Sequence, residues 1–373
     1  MKSKITITLI FICIFISSLS GQVQLRRLQT GIIGAAGVSF ESWKAKDNKV
    51  TEMSIPVMFI YPYSPKMSFY AMTSSVSSNL DAGEKYSLNG LSDLKWGGHY
   101  LMMNDKLLVT LGMNLPTGKH ALKVEEYSVA SALSVPAFNF RTPTLGQGFD
   151  VQLGANSAME MGSWILGYGA SYLMKGKFKP LKEYEDAYNP GDEVTLTAGL
   201  DNNSAAQEKS MLIRGDVLYT LYFDDTWGGE KVFKSGNRIL VQLLSQFKLG
   251  SYDAGLFVRE RIKGKNTTGS GKTYATERLN SNANQFEVQG WAWFPSGQNA
   301  RLKGLCDVKL YSDSDFGTGG ATLFGLGGGG QFRLSPKLSF NGDLRYYFGK
   351  IKTSVEKVDA TGMKLFGGFE YTL

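Results

Sequence analysis

The chain has 373 residues, with 40 lysines and arginines against 33 aspartates and glutamates and a formal charge of +7. That surplus is small and scattered, with no basic block and no basic stripe interleaved with aromatics, which argues against a nucleic-acid partner. Only two histidines and two cysteines are present, so paired metal-ligand spacing is missing, and no metal, cofactor or enzymatic activity is expected.

The first residues set a compartment. Lys2 and Lys4 precede an apolar run from Ile5 to Ile16 and a small-residue stretch from Ser17 to Gly21. That order is that of a secretory signal peptide over 1–20, cleaved after Ser20 or Gly21. A run of about 12 apolar residues is too short to cross a bilayer as a helix. Removing the signal takes away two lysines, bringing the charge to +5, and leaves Cys306 as the only cysteine, so no internal disulfide is expected. Residues 21–373 read as one outer-membrane domain, with 21–48 either a plug or the first strand. No later stretch of 18 apolar residues exists, so membrane crossing by helices is not expected. The 44 glycines, 12% aromatics and mean hydropathy of −0.15 suit strands that meet lipid with every second residue.

Along the chain the dominant period is two. In 107–115 the odd positions Leu107, Val109, Leu111, Met113 and Leu115 oppose Thr110, Gly112 and Asn114. Phe149, Val151 and Leu153 oppose Asp150, Gln152 and Gly154; Trp164, Leu166, Tyr168 and Tyr172 oppose Gly167, Gly169 and Ser171. Later, Phe286, Val288 and Phe294 oppose Gln285, Glu287 and Gln289, and Phe340, Leu344, Tyr346 and Phe348 oppose Asn341, Asp343 and Arg345. Helical periodicity is absent at comparable length, so the class is all-β. A sandwich also alternates, but strands of 10–16 residues suit a tilted bilayer crossing. Aromatics gather near strand ends, as at Phe59, Tyr61, Tyr63, Phe69 and Tyr70, where an interfacial girdle sits. Short turns near 62–66, 104–106, 161–163, 250–252, 296–299 and 335–337 alternate with longer loops near 80–90, 116–145, 179–192, 224–233, 264–277 and 350–360. The expectation is a transmembrane antiparallel β-barrel of 14–16 strands, the larger number requiring strands at 31–43 and 193–201. Its place is the outer membrane of a Gram-negative-type bacterium, among lipid and lipopolysaccharide.

The final residues KLFGGFEYTL alternate as well. Met363, Leu365, Gly367, Phe369, Tyr371 and Leu373 share one parity, Lys364, Glu370 and Thr372 the other, and Phe366 is the exception. This reads as a closing strand whose pattern is recognised by the barrel-assembly machinery, with Leu373 where an aromatic residue is commoner.

Chemical motifs are few. NTTGSGKT at 266–273 has the tail of a phosphate-binding loop but Asn266 in place of the first glycine, and it lies between strands with no helix to follow, so no nucleotide site is expected. His99 shares parity with Asp93 and Lys95 and reads as a lining residue; neither it nor His120 sits in a nucleophile–base set. The acidic stretch holding Glu183, Glu185, Asp186, Asp192 and Glu193 reads as a solvated loop. The polar parity is richer. Its lumen-lining candidates are Asp150, Arg214, Asp216, Arg238, Arg259, Arg261, Glu287, Arg301, Asp307, Asp343 and Arg345, with Glu160, Lys248, Lys303 and Lys309 beside them. Charges of both signs can line an aqueous channel or brace a filled barrel, although a barrel above about twelve strands is too wide for side chains alone to fill.

Between 90 and 200, several motifs occur in order: NGLSD (89–93), LKWGGHY (94–100), LLVTLGMNLPTGK (107–119), GQGFDVQLG (146–154), SWILGYGASYLMKGKF (163–178) and YNPGDE (188–193). This series resembles the outer-membrane transporters associated with phenol degradation, relatives of the long-chain fatty-acid transporter barrels. In MNLPTGK the strand stops at Pro116 and turns at Gly118. The resemblance implies passage of small hydrophobic or aromatic solutes, and it carries no binding residue onto this chain. The reading is thus a passive outer-membrane channel for small molecules. The alternative is a non-conducting structural or adhesive barrel acting through its long outer loops.

Overall fold

The computed structural model describes residues 31–202, 211–353 and 356–373. The signal-peptide assignment, over 1–20, lies outside them. Antiparallel strands follow one another around a wall: β1 (Ile33–Ala45), β2 (Asn48–Ser64), β3 (Met67–Asp81), β4 in two segments (Lys85–Leu91 and Leu94–Met102), β5 (Leu107–Leu115), β6 (Asp150–Met161), β7 (Trp164–Met174) and β8 (Glu193–Asp201). Then come β9 (Met211–Tyr222), β10 (Arg238–Leu249), β11 (Tyr252–Lys263), β12 (Gln285–Pro295), β13 (Ala300–Tyr311), β14 (Ala321–Arg333), β15 (Leu338–Lys352) and β16 (Lys357–Thr372). The sheet has 17 members, but the two segments of β4 both pair with β3, end to end, so the wall has 16 strands. β16 pairs with β1 from Thr372↔Ile33 to Ala360↔Ala45, which closes the barrel. With no edge left, every wall strand finds its backbone partners inside the sheet, as a lipid environment requires.

The alternation read from the sequence is the alternation of the wall. Val57, Phe59, Leu153, Tyr168, Leu196, Val241, Leu326, Leu344 and Phe369 are exposed on the outside, while their strand neighbours are covered. Near the end where β1 begins and β16 finishes, outward rings pair along β2, Tyr61 with Tyr63, and from strand to strand: Tyr63 with Phe69, Phe69 with Trp96, Tyr252 with Phe294, Phe332 with Phe340, and Phe340 with Phe369. These rings form an interfacial girdle around an apolar belt, and the protein is an outer-membrane β-barrel of the Gram-negative type. Phe366, out of phase in the last strand, is turned inward, with the Arg141 guanidinium 4.4 Å above its ring.

Parity changes once within a wall strand. On β4 the covered residues are Tyr86, Leu88 and Gly90, then Asp93, Gly97, His99 and Leu101. Ser92 and Asp93 break the ladder between the two segments; the Ser92 amide donates to the Ser74 carbonyl at 2.8 Å, while the Asp93 amide turns to the Leu145 carbonyl, also at 2.8 Å. One residue of slip exchanges the faces of everything after it.

Three expected outer loops differ. At 80–90 the chain makes a tight turn over 82–84, with Gly83 at φ +88, because β3 and β4 stay paired to Asp81↔Lys85. The 350–360 region is likewise mostly strand, paired to Lys352↔Lys357. Residues 116–149 form the longest connection, and it folds into the barrel; its only regular element is α1 (Val124–Leu133). The genuinely outward loops of the later strands meet in a small sheet made of Tyr188–Asn189, Asp225–Trp227, Glu230–Lys234, Thr267–Thr268 and Ala275–Thr276. The GSGKT stretch lies there as a three-residue 3-10 turn, Gly271–Thr273, leading into another strand.

Candidate functional site

The segment inside the barrel is held at its root by one carboxylate. Asp93 is 5% exposed; its Oδ1 accepts the Gly118 amide at 2.9 Å, and its Oδ2 accepts the Gln147 amide at 2.9 Å and the Asn114 side-chain amide at 2.8 Å. Asp93 therefore ties the two ends of the inward segment to each other and to the wall. The backbone strands cross so closely here that a Cβ on Gly118 would lie 2.1 Å from the Leu145 carbonyl oxygen. This is why glycine stands in the MNLPTGK element. Lys119 pairs with Glu126, whose other oxygen accepts the Lys123 amide at 3.0 Å, so the start of α1 is capped from its own third residue.

Beyond the root, the segment packs on one half of the wall. Val129 and Leu133 of α1 are buried with Leu88 of β4 and Val76 of β3, while Val124 and Tyr127 on the opposite face are exposed. Phe138 stacks on Trp43 of β1 with ring centroids 4.9 Å apart, and Trp43 in turn lies 5.2 Å from Tyr347 of β15. Polar anchors flank this aromatic core. Glu52 of β2 accepts the Thr142 amide at 3.0 Å, Lys309 of β13 donates to the Ala137 carbonyl at 2.8 Å, and Lys364 of β16 donates to the Asn139 carbonyl. Lys364 also pairs with Glu41 of β1 at 3.0 Å. All of these anchors come from β1–β4 and β13–β16, so a hydrophobic core fills that half of the lumen.

The sequence-derived residues all lie on the inner face, in separate groups. Asp307, Asp343 and Arg345 form one, with Arg345 3.3 Å from each carboxylate; Asp307 also accepts from the Tyr347 hydroxyl at 2.7 Å and the Gln289 amide at 2.8 Å. Arg214 holds Asp216 through two contacts, at 2.9 and 3.3 Å. Arg301 pairs with Asp253 and lies 5.1 Å over Trp293. Arg259 pairs with Glu287 at 2.6 Å, Arg261 donates to Gln285, and Arg238 donates to Thr220 at 3.3 Å. Asp150 stands apart and accepts the Gly176 amide at 3.1 Å. Sequence parity places Asp93 and Lys364 on the polar face but gives neither its role as an anchor, and it does not single out Glu52, Trp43 or Arg141. Their partners lie far along the chain, although the break in parity at Asp93 is visible in the sequence.

The histidines make local contacts, and the acidic stretch divides: Glu183, Glu185 and Asp186 are exposed, while Asp192 and Glu193 are held by Lys175. His99 stacks on Tyr70 at 5.5 Å, and His120 faces the Gly118 carbonyl. Asp192 accepts the Lys175 amide at 2.9 Å, and Glu193 pairs with the Lys175 side chain at 2.5 Å. Among the described residues no group of three or more His, Cys, Asp or Glu could hold a metal ion.

No family model matches the chain, and no curated protein does. Among solved structures it is similar to the CymD monoaromatic hydrocarbon channel, at 12% identity and a TM-score of 0.46, over 93% of this chain and 89% of that one. It is similar also to OccK1 (OpdK) of Pseudomonas aeruginosa, at 9% identity and a TM-score of 0.46 over 92% and 98% of the two chains. OpdQ of Pseudomonas aeruginosa gives 9% identity and a TM-score of 0.44 over 93% and 100%. These likenesses set no family; the barrel rests on its strand pairing.

Proposed function

We propose that the protein is an outer-membrane channel for the passive passage of small molecules, with hydrophobic or aromatic compounds as its solutes. The carrying observation is the uneven filling of the lumen. A 16-stranded wall is too wide for its own side chains to fill, and the inward segment is anchored on β1–β4 and β13–β16. The remaining wall, from β6 to β12, presents half-buried charged side chains such as Asp150, Arg238, Arg259, Arg261, Lys263 and Glu287. These residues and the cation–aromatic pair Arg301–Trp293 line the route in this reading, and a wet wall with aromatic faces admits small amphipathic solutes. The resemblance of 90–200 to the phenol-degradation transporters supports aromatic solutes. Lipid and lipopolysaccharide surround the belt, and the alternating last strand supports recognition by the barrel-assembly machinery.

Planar-bilayer conductance of the purified, heat-modifiable protein tests the reading, together with uptake of phenol into proteoliposomes. Discrete ohmic steps and phenol entry faster than into protein-free liposomes are expected. Neither conductance nor uptake would return the protein to the class of structural barrels, whose charges serve only as braces.

A further inference from the structure

We infer that the inner face of β10 and β11 carries a binding site for the anionic group of a small organic carboxylate, near the end of the barrel where the long loops lie. The inference rests on the channel reading and narrows its solutes. Arg238 opposes Lys263 across the ladder, Leu240 opposes Arg261, and Gln242 opposes Arg259. Arg238, Arg259, Arg261 and Lys263 thus stand on neighbouring inward positions of two strands. Like charges set directly across a ladder repel one another, so this arrangement opposes folding unless something offsets it.

Elsewhere on the inner wall three arginines are neutralised locally, Arg214 by Asp216, Arg301 by Asp253, and Arg345 by Asp307 and Asp343. In this cluster only Arg259 has an acid, Glu287. Arg238, Arg261 and Lys263 form no ion pair among the described residues. The other carboxylates within their electrostatic reach, Glu193 and Glu277, are engaged. Glu193 pairs with Lys175, and Glu277 accepts the amides of Asn266 at 2.8 Å and Ser281 at 3.1 Å. Glu287 also takes the Tyr311 hydroxyl.

Arg238 supplies a second observation. Its Nε is buried and has no hydrogen-bond partner, while its guanidinium carbon lies 5.9 Å from the Tyr222 ring centroid. A guanidinium N–H without an acceptor, on a residue that has no acid and stands beside two further cations, leaves a charge unsatisfied that a planar carboxylate seated against the cluster would neutralise. Tyr222 offers an adjacent ring face to the apolar body of such a solute. The three cations without acids then form a local anion trap that concentrates carboxylates at the entrance.

The test compares ion selectivity and solute choice in the full-length mature protein. Reversal potentials in a potassium chloride gradient should show preference for chloride over potassium, and proteoliposomes should admit benzoate about fivefold faster than neutral benzamide. The triple variant Arg238→Gln/Arg261→Gln/Lys263→Gln should lose both preferences while remaining heat-modifiable. The charge-keeping Arg238→Lys/Arg261→Lys pair should retain the chloride preference, and lose part of the benzoate preference with the planar donors. If the triple variant does not fold, Lys263→Gln alone, which removes one of the three cations, should lower both ratios. A conducting wild type with no anion preference, or a folded neutral variant with preference unchanged, overturns this inference and leaves the channel reading intact. A wild type that neither conducts nor admits either solute overturns both.

Discussion

Replacing residues 120–143 by a short glycine–serine linker should raise single-channel conductance at least about threefold, because a 16-stranded wall left to itself encloses an aqueous channel. The removed residues include α1 and the Phe138–Thr142 stretch, which together cover Trp43, Leu88 and Tyr347 inside one half of the barrel. None of them contributes a wall strand, so β1–β16 pairing is untouched and the variant should still migrate as a heat-modifiable barrel. The newly uncovered aromatic core will not hold back ions once water reaches it. A folded variant with unaltered conductance would mean that the inward segment does not narrow the conducting route.

The second large effect belongs to Asp93→Ala. This substitution removes two backbone-amide contacts and one side-chain amide contact, each of the charge-assisted kind and worth about 1.5–3 kcal/mol. Because the contacts are not additive, the root of the inward segment should loosen by something on the order of 3–5 kcal/mol. The wall contacts of β4 should survive, so the expected phenotype is local. Trypsin should cut near Lys119, Lys123 or Arg141 at least tenfold faster than in the native protein, and the open-channel current should become noisy. Asp93→Asn retains one acceptor and should fall between the two. A variant as resistant to trypsin as the native chain would show that the aromatic anchors alone hold the segment.

The physics of the belt made most of the wall legible in advance. Lipid outside and water or polar groups inside impose a choice on every residue, and strands such as 338–348 record it position by position. Phe366 looked like noise because its reason is a guanidinium from residue 141, and no local pattern can encode that. The loop lengths misled for a related reason. Residues 80–90 and 350–360 carry turn-forming and charged residues, yet long strands extend the wall on that side and keep them paired. The inward segment was the largest omission. Val129 and Leu133 give α1 one short apolar edge, and nothing within 116–149 reveals that the surface meeting it is the interior of the barrel. The ion-pairing of the polar face was half legible: parity identified the residues, but which cations lack acids depends on neighbours brought together by register.

The anchors of the inward segment also set an order of events. Glu41 and Trp43 lie on the first strand and Lys364 on the last, and Lys364 touches both Glu41 and the Asn139 carbonyl. Those two strands become neighbours only when the cylinder seals. The segment therefore reaches its complete docking surface after the seam has formed, however early residues 116–149 leave the ribosome. On this order the cylinder seals before the inward segment seats fully against one half of its lumen. In refolding kinetics, the environment of Trp43 should mature after heat-modifiable closure, and a Trp43 signal that settles before closure would refute that order.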